Sequence, residues 1–363
     1  TPADDNERSV LNERLAASVY KQGEQSRSVG DLRGAVGHFT RVAGVAPGSA
    51  IRVTAEYDAA ATLITLKDWN GAVKVLEGFR KAHPNHPLQA EVTNKLAVAY
   101  METGQLTRAA GELEALADTK SDPQVRRAAL WQVAELYEKA KDTDNASRAY
   151  QRYLRDYPRP LEPALEARQR LAALYEKTGQ NAERMRFLND IIQADQAGGQ
   201  ERTDRTRFLA ASASLAVAEP VYREYQKMRL VEPLKKNLKL KKEKMQGVLK
   251  AYGAAADYGV EAVATASTYH IAEIYNDFGR ELLASQRPKG LSPAELEQYD
   301  VLREEQAYPC EEKAIEVHEI NVQRTAQGVY DEWVQNSFKA LGKLQPVRYA
   351  KTEKAEGVIH GIR

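Results

Sequence analysis

Residues 308–319 read YPCEEKAIEVHE and hold the single cysteine of the chain, Cys310, together with His318 and several glutamates. Thiol, imidazole and carboxylate are the groups of a thiol-hydrolase triad, in which the base must lie within hydrogen-bond reach of the sulfur. Spacing decides against that chemistry. Cys310 and His318 stand eight positions apart in one predicted helix, a rise of about 12 Å, whereas a nucleophile and its base need ~3 Å. His270 could approach Cys310 in space, but nothing in the sequence places it there. Cys310, Ala314 and Val317 follow the i, i+4, i+7 spacing of a buried stripe, and a buried free cysteine behaves as a small hydrophobe.

Two other clusters could do chemistry. His83 and His86 form H-x-x-H, but Pro84 and Asn85 between them predict a turn, and two histidines without a third ligand make a poor zinc site. The run KKNLKLKKEK (235–244) contributes Lys235, Lys236, Lys239, Lys241, Lys242 and Lys244, opposed only by Glu243. Leu234, Leu238, Met245 and Leu249 form an apolar stripe at helical spacing beside it. The run reads as a solvated helix face, or as a contact for anionic lipid headgroups or an acidic partner. Without interleaved aromatics it does not read as a nucleic-acid site. No Gly-rich phosphate loop, metal constellation or nucleophile–base pair is present in the sequence. Catalytic residues, metals and cofactors are therefore not expected.

Composition sets the frame for these elements. The chain has 363 residues, 43% hydrophobic, with a formal net charge of +1 and a mean hydropathy of −0.58. That length accommodates one large or two ordinary domains, and the charge gives no overall bias towards nucleic acid. No apolar run approaches the ~20 residues of a membrane helix. One cysteine cannot form an internal disulfide, a usage that fits the cytoplasm and a cysteine-poor periplasm alike. The opening TPADDNERSV has no signal-peptide pattern, so either none existed or the numbering begins after it. The closing GVIHGIR does not resemble a natural stop, and the chain is expected to be a piece of a longer protein.

A repeat organises the first half. Gly23, Ala60, Ala97 and Ala134 are successively 37 residues apart, as are Ala35, Ala72, Ala109 and Ala146. Phe39, Leu76, Leu113 and Tyr150 keep the same register. Ala172, Tyr175 and Gly179 continue it, shifted by one. Each period holds two amphipathic helices, such as LAVAYMETG and QLTRAAGELEAL, with a small residue in each where the helices approach. Pro47, Pro84 and Pro158 close the pairs, since proline cannot continue a helix. A lone pair leaves one apolar face bare, so pairs must stack.

This pattern resembles the tetratricopeptide repeat, most clearly at YEKAKDTDNASRAYQRYLRDYP (137–158), strongly over 16–158 and more weakly to about 193. The period exceeds the usual ~34, and the extra residues fall in the inter-pair turns. Long-turn repeats of this kind look like those of bacterial envelope proteins, among them the lipoprotein of the β-barrel assembly machine and the periplasmic coordinator of the Tol–Pal system. The resemblance implies an all-α, right-handed α-solenoid whose first helices line a concave groove. Carried onto this sequence, the groove positions are Tyr20, Tyr57, Asn94 and Trp131, then Glu24 and Glu135, then Ile64, Met101 and Glu138. The Lys/Asn/Arg set that clamps the terminal carboxylate of chaperone peptides is missing from these rows. Aromatic residues there are candidate anchors for a helix or peptide, or they pack between neighbouring pairs; acidic rims favour a neutral or basic ligand.

The second half diverges. QAGGQERTD (196–204) reads as a break between a solenoid of about five pairs over 1–195 and a longer-helixed, repeat-like domain over 203–363. Ser292, Pro293 and Glu295 predict a capped helix start, and Pro309 predicts another break. The stretch 266–350 resembles the C-terminal part of large proteobacterial repeat proteins associated with gliding motility or Ton/Tol-type energy transducers. The expectation is a non-enzymatic protein-binding scaffold in a larger envelope assembly, periplasmic or outer-membrane-associated, with a cytoplasmic setting as the alternative. Its partners would be envelope proteins rather than nucleic acid. A second expectation is a membrane-peripheral or acidic-partner docking module using helix 235–250.

Overall fold

The computed structural model describes residues 2–119 and 122–350. Among these, sixteen α-helices and two short 3-10 turns occur and no strand. They divide into two compact units, 1–158 and 159–363. Each is an all-α solenoid of helix pairs, in which each helix packs on its sequence neighbours.

The first unit holds α1 (Pro2–Ser28), α2 (Leu32–Val45), α3 (Ile51–Thr65), α4 (Trp69–Ala82), α5 (Gln89–Glu102), α6 (Leu106–Thr119), α7 (Pro123–Lys139) and α8 (Thr143–Asp156). The 37-residue periodicity is its core. Ala60, Ala97 and Ala134 on first helices, and Ala35, Ala72, Ala109 and Ala146 on second helices, are all buried. Phe39, Leu76 and Tyr150 fill the space beside them. Gly23 is the extreme of this series: a Cβ there would lie 2.5 Å from the Phe39 ring.

The turn inside each pair repeats with the same period. Gly30, Lys67, Gly104 and Lys141 all have positive φ, at 83°, 56°, 73° and 60°. The next residue's N–H reaches back to a carbonyl in the preceding turn: Asp31 to Ser26, Asp68 to Leu63, Gln105 to Tyr100, Asp142 to Tyr137. This is the left-handed Schellman stop. Asp31, Asp68 and Asp142 then cap the following helix by accepting from the N–H of Gly34, Gly71 and Asn145. Helix stop and helix start thus share three residues, which holds the two helices of a pair at a fixed angle.

The second unit holds α9 (Leu161–Lys177), α10 (Asn181–Gln196), α11 (Asp204–Lys227), α12 (Leu234–Ala256), α13 (Glu261–Leu283), α14 (Pro293–Gln323), α15 (Glu332–Leu344) and the single turn α16 (Pro346–Tyr349). The division falls at Pro158–Arg159 rather than at the expected break, 196–204. Those residues form a packed turn. Arg202 binds the fully buried Asp195 at 2.9 Å, the Glu201 carboxylate accepts from the Leu161 N–H, and Thr203 donates to Glu162. The glycines there permit a tight turn between α10 and α11 instead of a linker.

Ser292 and Glu295 form the expected capping box at the start of α14, with Pro293 in its first turn. Pro309 does not break the chain: α14 runs through it. A proline inside a helix forfeits one hydrogen bond and crowds the carbonyl four residues back. Here Glu305 and Pro309 are both exposed, so water can satisfy that carbonyl, while Ala307, Ala314 and Val317 bury the opposite side.

Candidate functional site

The first helices of the first unit are tied edge to edge. The Tyr20 hydroxyl of α1 donates to Asp58 of α3 at 2.5 Å, and the Tyr57 hydroxyl of α3 donates to Glu91 of α5. The amide of Gln132 on α7 lies 4.0 Å from the Met101 sulfur of α5. Burial and then the bond to the facing carboxylate push both tyrosines up to about 12, so they stay neutral donors. Tyr20 also packs on Phe39 with ring centroids 5.3 Å apart. Tyr57 meets Phe79 edge-on at 6.5 Å and carries Lys95 over its face. Trp131 packs edge-on against Tyr150 and Tyr153 of α8, at 5.5 and 5.3 Å.

The three aromatic candidates are therefore half-buried and engaged within the solenoid. Ile64, Met101, Glu135 and Glu138 are half-buried too, while Glu24 and Asn94 are exposed. Glu138 accepts from the Tyr150 hydroxyl at 3.1 Å. Val98, 42% exposed, stands one turn from Asn94 on α5. Glu24, Asn94 and Val98 are thus exposed on the first helices, whereas Tyr57, Ile64, Met101 and Trp131 on the same helices are half-buried. The carboxylates Asp58 and Glu91, which hold the tyrosines, were not singled out in the sequence. Their spacings of 38 and 34 from their partners straddle the repeat and so escape a fixed-register comparison.

His83, His86, His270, His318 and Cys310 are each engaged with neighbours inside the fold. His83 lies in the turn after α4 and its Nε2 is 2.9 Å from the Glu56 carboxylate. His86 Nδ1 accepts from the Leu88 N–H, and both rings pack on Phe79. Among the described residues no group of three or more His, Cys, Asp or Glu is arranged to hold a metal. Cys310 and His318 share the unbroken α14. Cys310 packs towards Gly279, and burial raises its thiol above the ordinary value. His318 is fully buried with Nε2 3.1 Å from Glu273. His270 stacks on Tyr252 at 4.8 Å and lies 5.0 Å from Trp333, and burial holds it below its ordinary value.

The basic run needs one correction. Lys235, Lys236, Lys239, Lys242 and Lys244 are exposed on α12, but Lys241 is 1% exposed. Its ammonium donates to the Met228 carbonyl at 2.6 Å and lies 4.6 Å from the Tyr225 ring centroid. Lys241 shares the buried stripe with Met245, Val248 and Tyr252, spaced four, three and four positions apart, so helical geometry carries it inward. A buried cation needs partners; the carbonyl at the end of α11 and the Tyr225 ring supply them. Desolvation holds Lys241 below the ordinary lysine value, partly offset by Glu281 and Asp277.

The pair α7–α8 is where sequence and geometry agree best. Residues 128–159 match the tetratricopeptide repeat family. No curated protein matches the sequence. Among solved structures, MamA (residue 41 to the end) from Desulfovibrio magneticus RS-1 is 16% identical, covering 51% of this chain and 96% of its own, with a TM-score of 0.29. A tetratricopeptide repeat protein from Parabacteroides merdae ATCC 43184 is 12% identical over 80% of this chain and 99% of its own, with a TM-score of 0.31. A structure of Naa15/Naa10 bound to HypK-THB is 14% identical over 98% of this chain and 62% of its own, with a TM-score of 0.34.

Proposed function

We propose that the chain is a non-catalytic scaffold that holds a helix or peptide of a partner protein on the first-helix face of its first unit. The observation that carries this reading is the face itself. Side-chain contacts link the four first helices in sequence, and these helices expose Glu24, Asn94 and Val98 alongside half-buried Tyr57, Ile64, Met101 and Trp131. Rigid aromatics under an open polar rim are the usual anatomy of a protein-binding surface. Glu24, Glu135 and Glu138 favour a neutral or basic segment. The resemblance of the long inter-pair turns to those of bacterial envelope proteins supports a periplasmic or outer-membrane-associated assembly as the setting.

Tyr57 and Trp131 pack within the fold, so the test uses exposed positions. A photo-crosslinking residue at Asn94 or Val98, introduced in the native host, should capture one discrete partner. The same residue at Lys74, exposed on the second helix α4, should not. Equal labelling from both faces, or none from Val98, would refute the assignment.

A second reading rests on the outer row of α12, where Lys236 and Lys244 flank Leu240, itself 40% exposed. This row suits an anionic headgroup surface. Charge reversal at Lys236, Lys239 and Lys244 should abolish flotation with anionic vesicles; a wild-type chain that does not float ends this reading.

A further inference from the structure

Three helices of the second unit leave an apolar cleft that their own packing does not fill. Its cavity is about 270 Å³, floored by Leu234 and Leu238 of α12, Leu282 of α13, and Tyr299 and Leu302 of α14. Leu302 is 54% exposed. The one charge among its lining residues, Arg303, is paired with Asp300 at 3.0 Å.

The two lips of this cleft carry opposite charge. On α12, Lys235 and Lys242 stand three positions before and four after Leu238, which places them on the same side of the helix. Both are exposed, and neither has an ion-pair partner among the described residues. Leu234 and Leu238 line the cleft together with Tyr299 and Leu302, so this side of α12 borders the cleft shared with α14. On α14, Glu305 is three positions after Leu302 and Glu295 seven before it, again on the side of the leucine. Both are exposed.

Concavity and charge together select the occupant. A flat anionic bilayer would meet the glutamate lip and be repelled by it. A second copy would bring one hollow against another and leave both floors unfilled. A helix laid along the cleft fills the floor with residues at i, i+3 or i+4, and i+7. The lysine lip and the glutamate lip then fix which edge faces which wall.

We propose that the α12–α14 cleft binds an amphipathic helix of a partner protein, one with acidic residues along the edge facing α12 and basic residues along the edge facing α14. The proposal shares with the first-helix-face reading only the premise that the chain binds other proteins. The residues differ, so either can fail alone.

The test is selection of a displayed library of helical peptides on the folded full chain, with counter-selection on Leu302→Glu. Enriched peptides should combine an apolar stripe with acidic residues on one edge and basic residues on the other. In fluorescence anisotropy, Leu302→Glu should weaken the selected peptide about thirtyfold or more, and Lys242→Glu about tenfold. Changing the peptide's acidic edge to lysine should restore binding to Lys242→Glu. Lys74→Glu, at an exposed position on α4 outside both surfaces, should bind as the wild type does. Because Leu302 is already exposed, its variant should keep the wild-type circular dichroism and melting curve, which separates lost binding from lost folding. Five results would overturn the proposal. These are no enrichment, enriched peptides indifferent to Leu302→Glu or lacking the charge asymmetry, anionic-vesicle binding that disappears in Leu302→Glu, and a concentration-dependent dimer that disappears in the same variant.

Discussion

Lys67 and Lys141 occupy a backbone position that suits glycine, and replacing them should stabilise the first unit. Their φ values, 56° and 60°, lie where an L residue's Cβ crowds the following carbonyl. That crowding costs about 1–2 kcal/mol. Glycine escapes it but loses more unfolded-chain entropy on folding, about 0.5–1 kcal/mol. The net expected gain for Lys67→Gly is about 0.5–1 kcal/mol. Both lysine side chains are exposed and make no ion pair among the described residues, so their removal costs no contact. The two turns belong to different pairs, so the double variant should gain about 1–2 kcal/mol by addition. Urea unfolding followed by circular dichroism measures this. With a slope of about 1–3 kcal/mol per molar, the midpoint of each single variant should rise by about 0.2–1 M. Lys67→Ala is the control, since it removes the same side chain and keeps the Cβ. The reasoning is refuted if Lys67→Gly is no more stable than Lys67→Ala.

Three further outcomes follow from the packing. Gln180 precedes α10 with the backbone of the capping aspartates, φ −82° and ψ 70°, but makes no capping bond; Gln180→Asp should raise the stability of the second unit by about 1 kcal/mol in thermal unfolding. Gly23→Ala should destabilise despite a helix-propensity gain of about 1 kcal/mol, because the new methyl must displace Phe39 at a cost of about 1–3 kcal/mol. Gly78→Ala, with nothing within 4 Å of the added carbon, should stabilise by about 1 kcal/mol, and equal melting shifts for these two variants would contradict the close-approach argument. His270 faces Tyr222, Tyr252, Tyr269 and Trp333, with Glu219 and Glu273 acting on it, and burial lowers its value from 6.5. The unfolded chain therefore binds the proton more readily. The contribution of neutral His270 is complete above pH 6.5 and is lost as pH falls through the folded value. His270→Phe should flatten the pH dependence of stability between pH 6.5 and the folded value, and an unchanged slope there would mean that His270 does not carry it.

The helix pairs, their small interior residues and the closing prolines were legible from the 37-residue spacing. Each of these features is local, or repeats at a fixed interval. The capping box at Ser292 was legible for the same reason. Pro309 was misleading because proline's usual effect takes no account of whether the freed carbonyl faces water. Gly198 and Gly199 have the composition of a linker, and buried Asp195 with its Arg202 partner makes the segment a packed turn.

Candidate surface residues were less legible than the fold. Tyr20, Tyr57 and Trp131 could line a groove or pack between helices by spacing alone; their hydrogen bonds and ring contacts show them half-buried against neighbours. Lys241 reads as one more lysine of a basic run, yet its register turns it inward against Tyr225 and the Met228 carbonyl. The α12–α14 cleft has no signature in the chain at all, since its floor comes from three helices separated by loops. Apart from the break expected at Pro309, sequence by itself determined what the repeat helices are and where they stop, because propensity, capping and repeat period act between residues a few positions apart. Only the tertiary structure decided which side chains remain open to a partner, because exposure depends on the neighbouring helix that covers a face, and that neighbour lies tens of residues away.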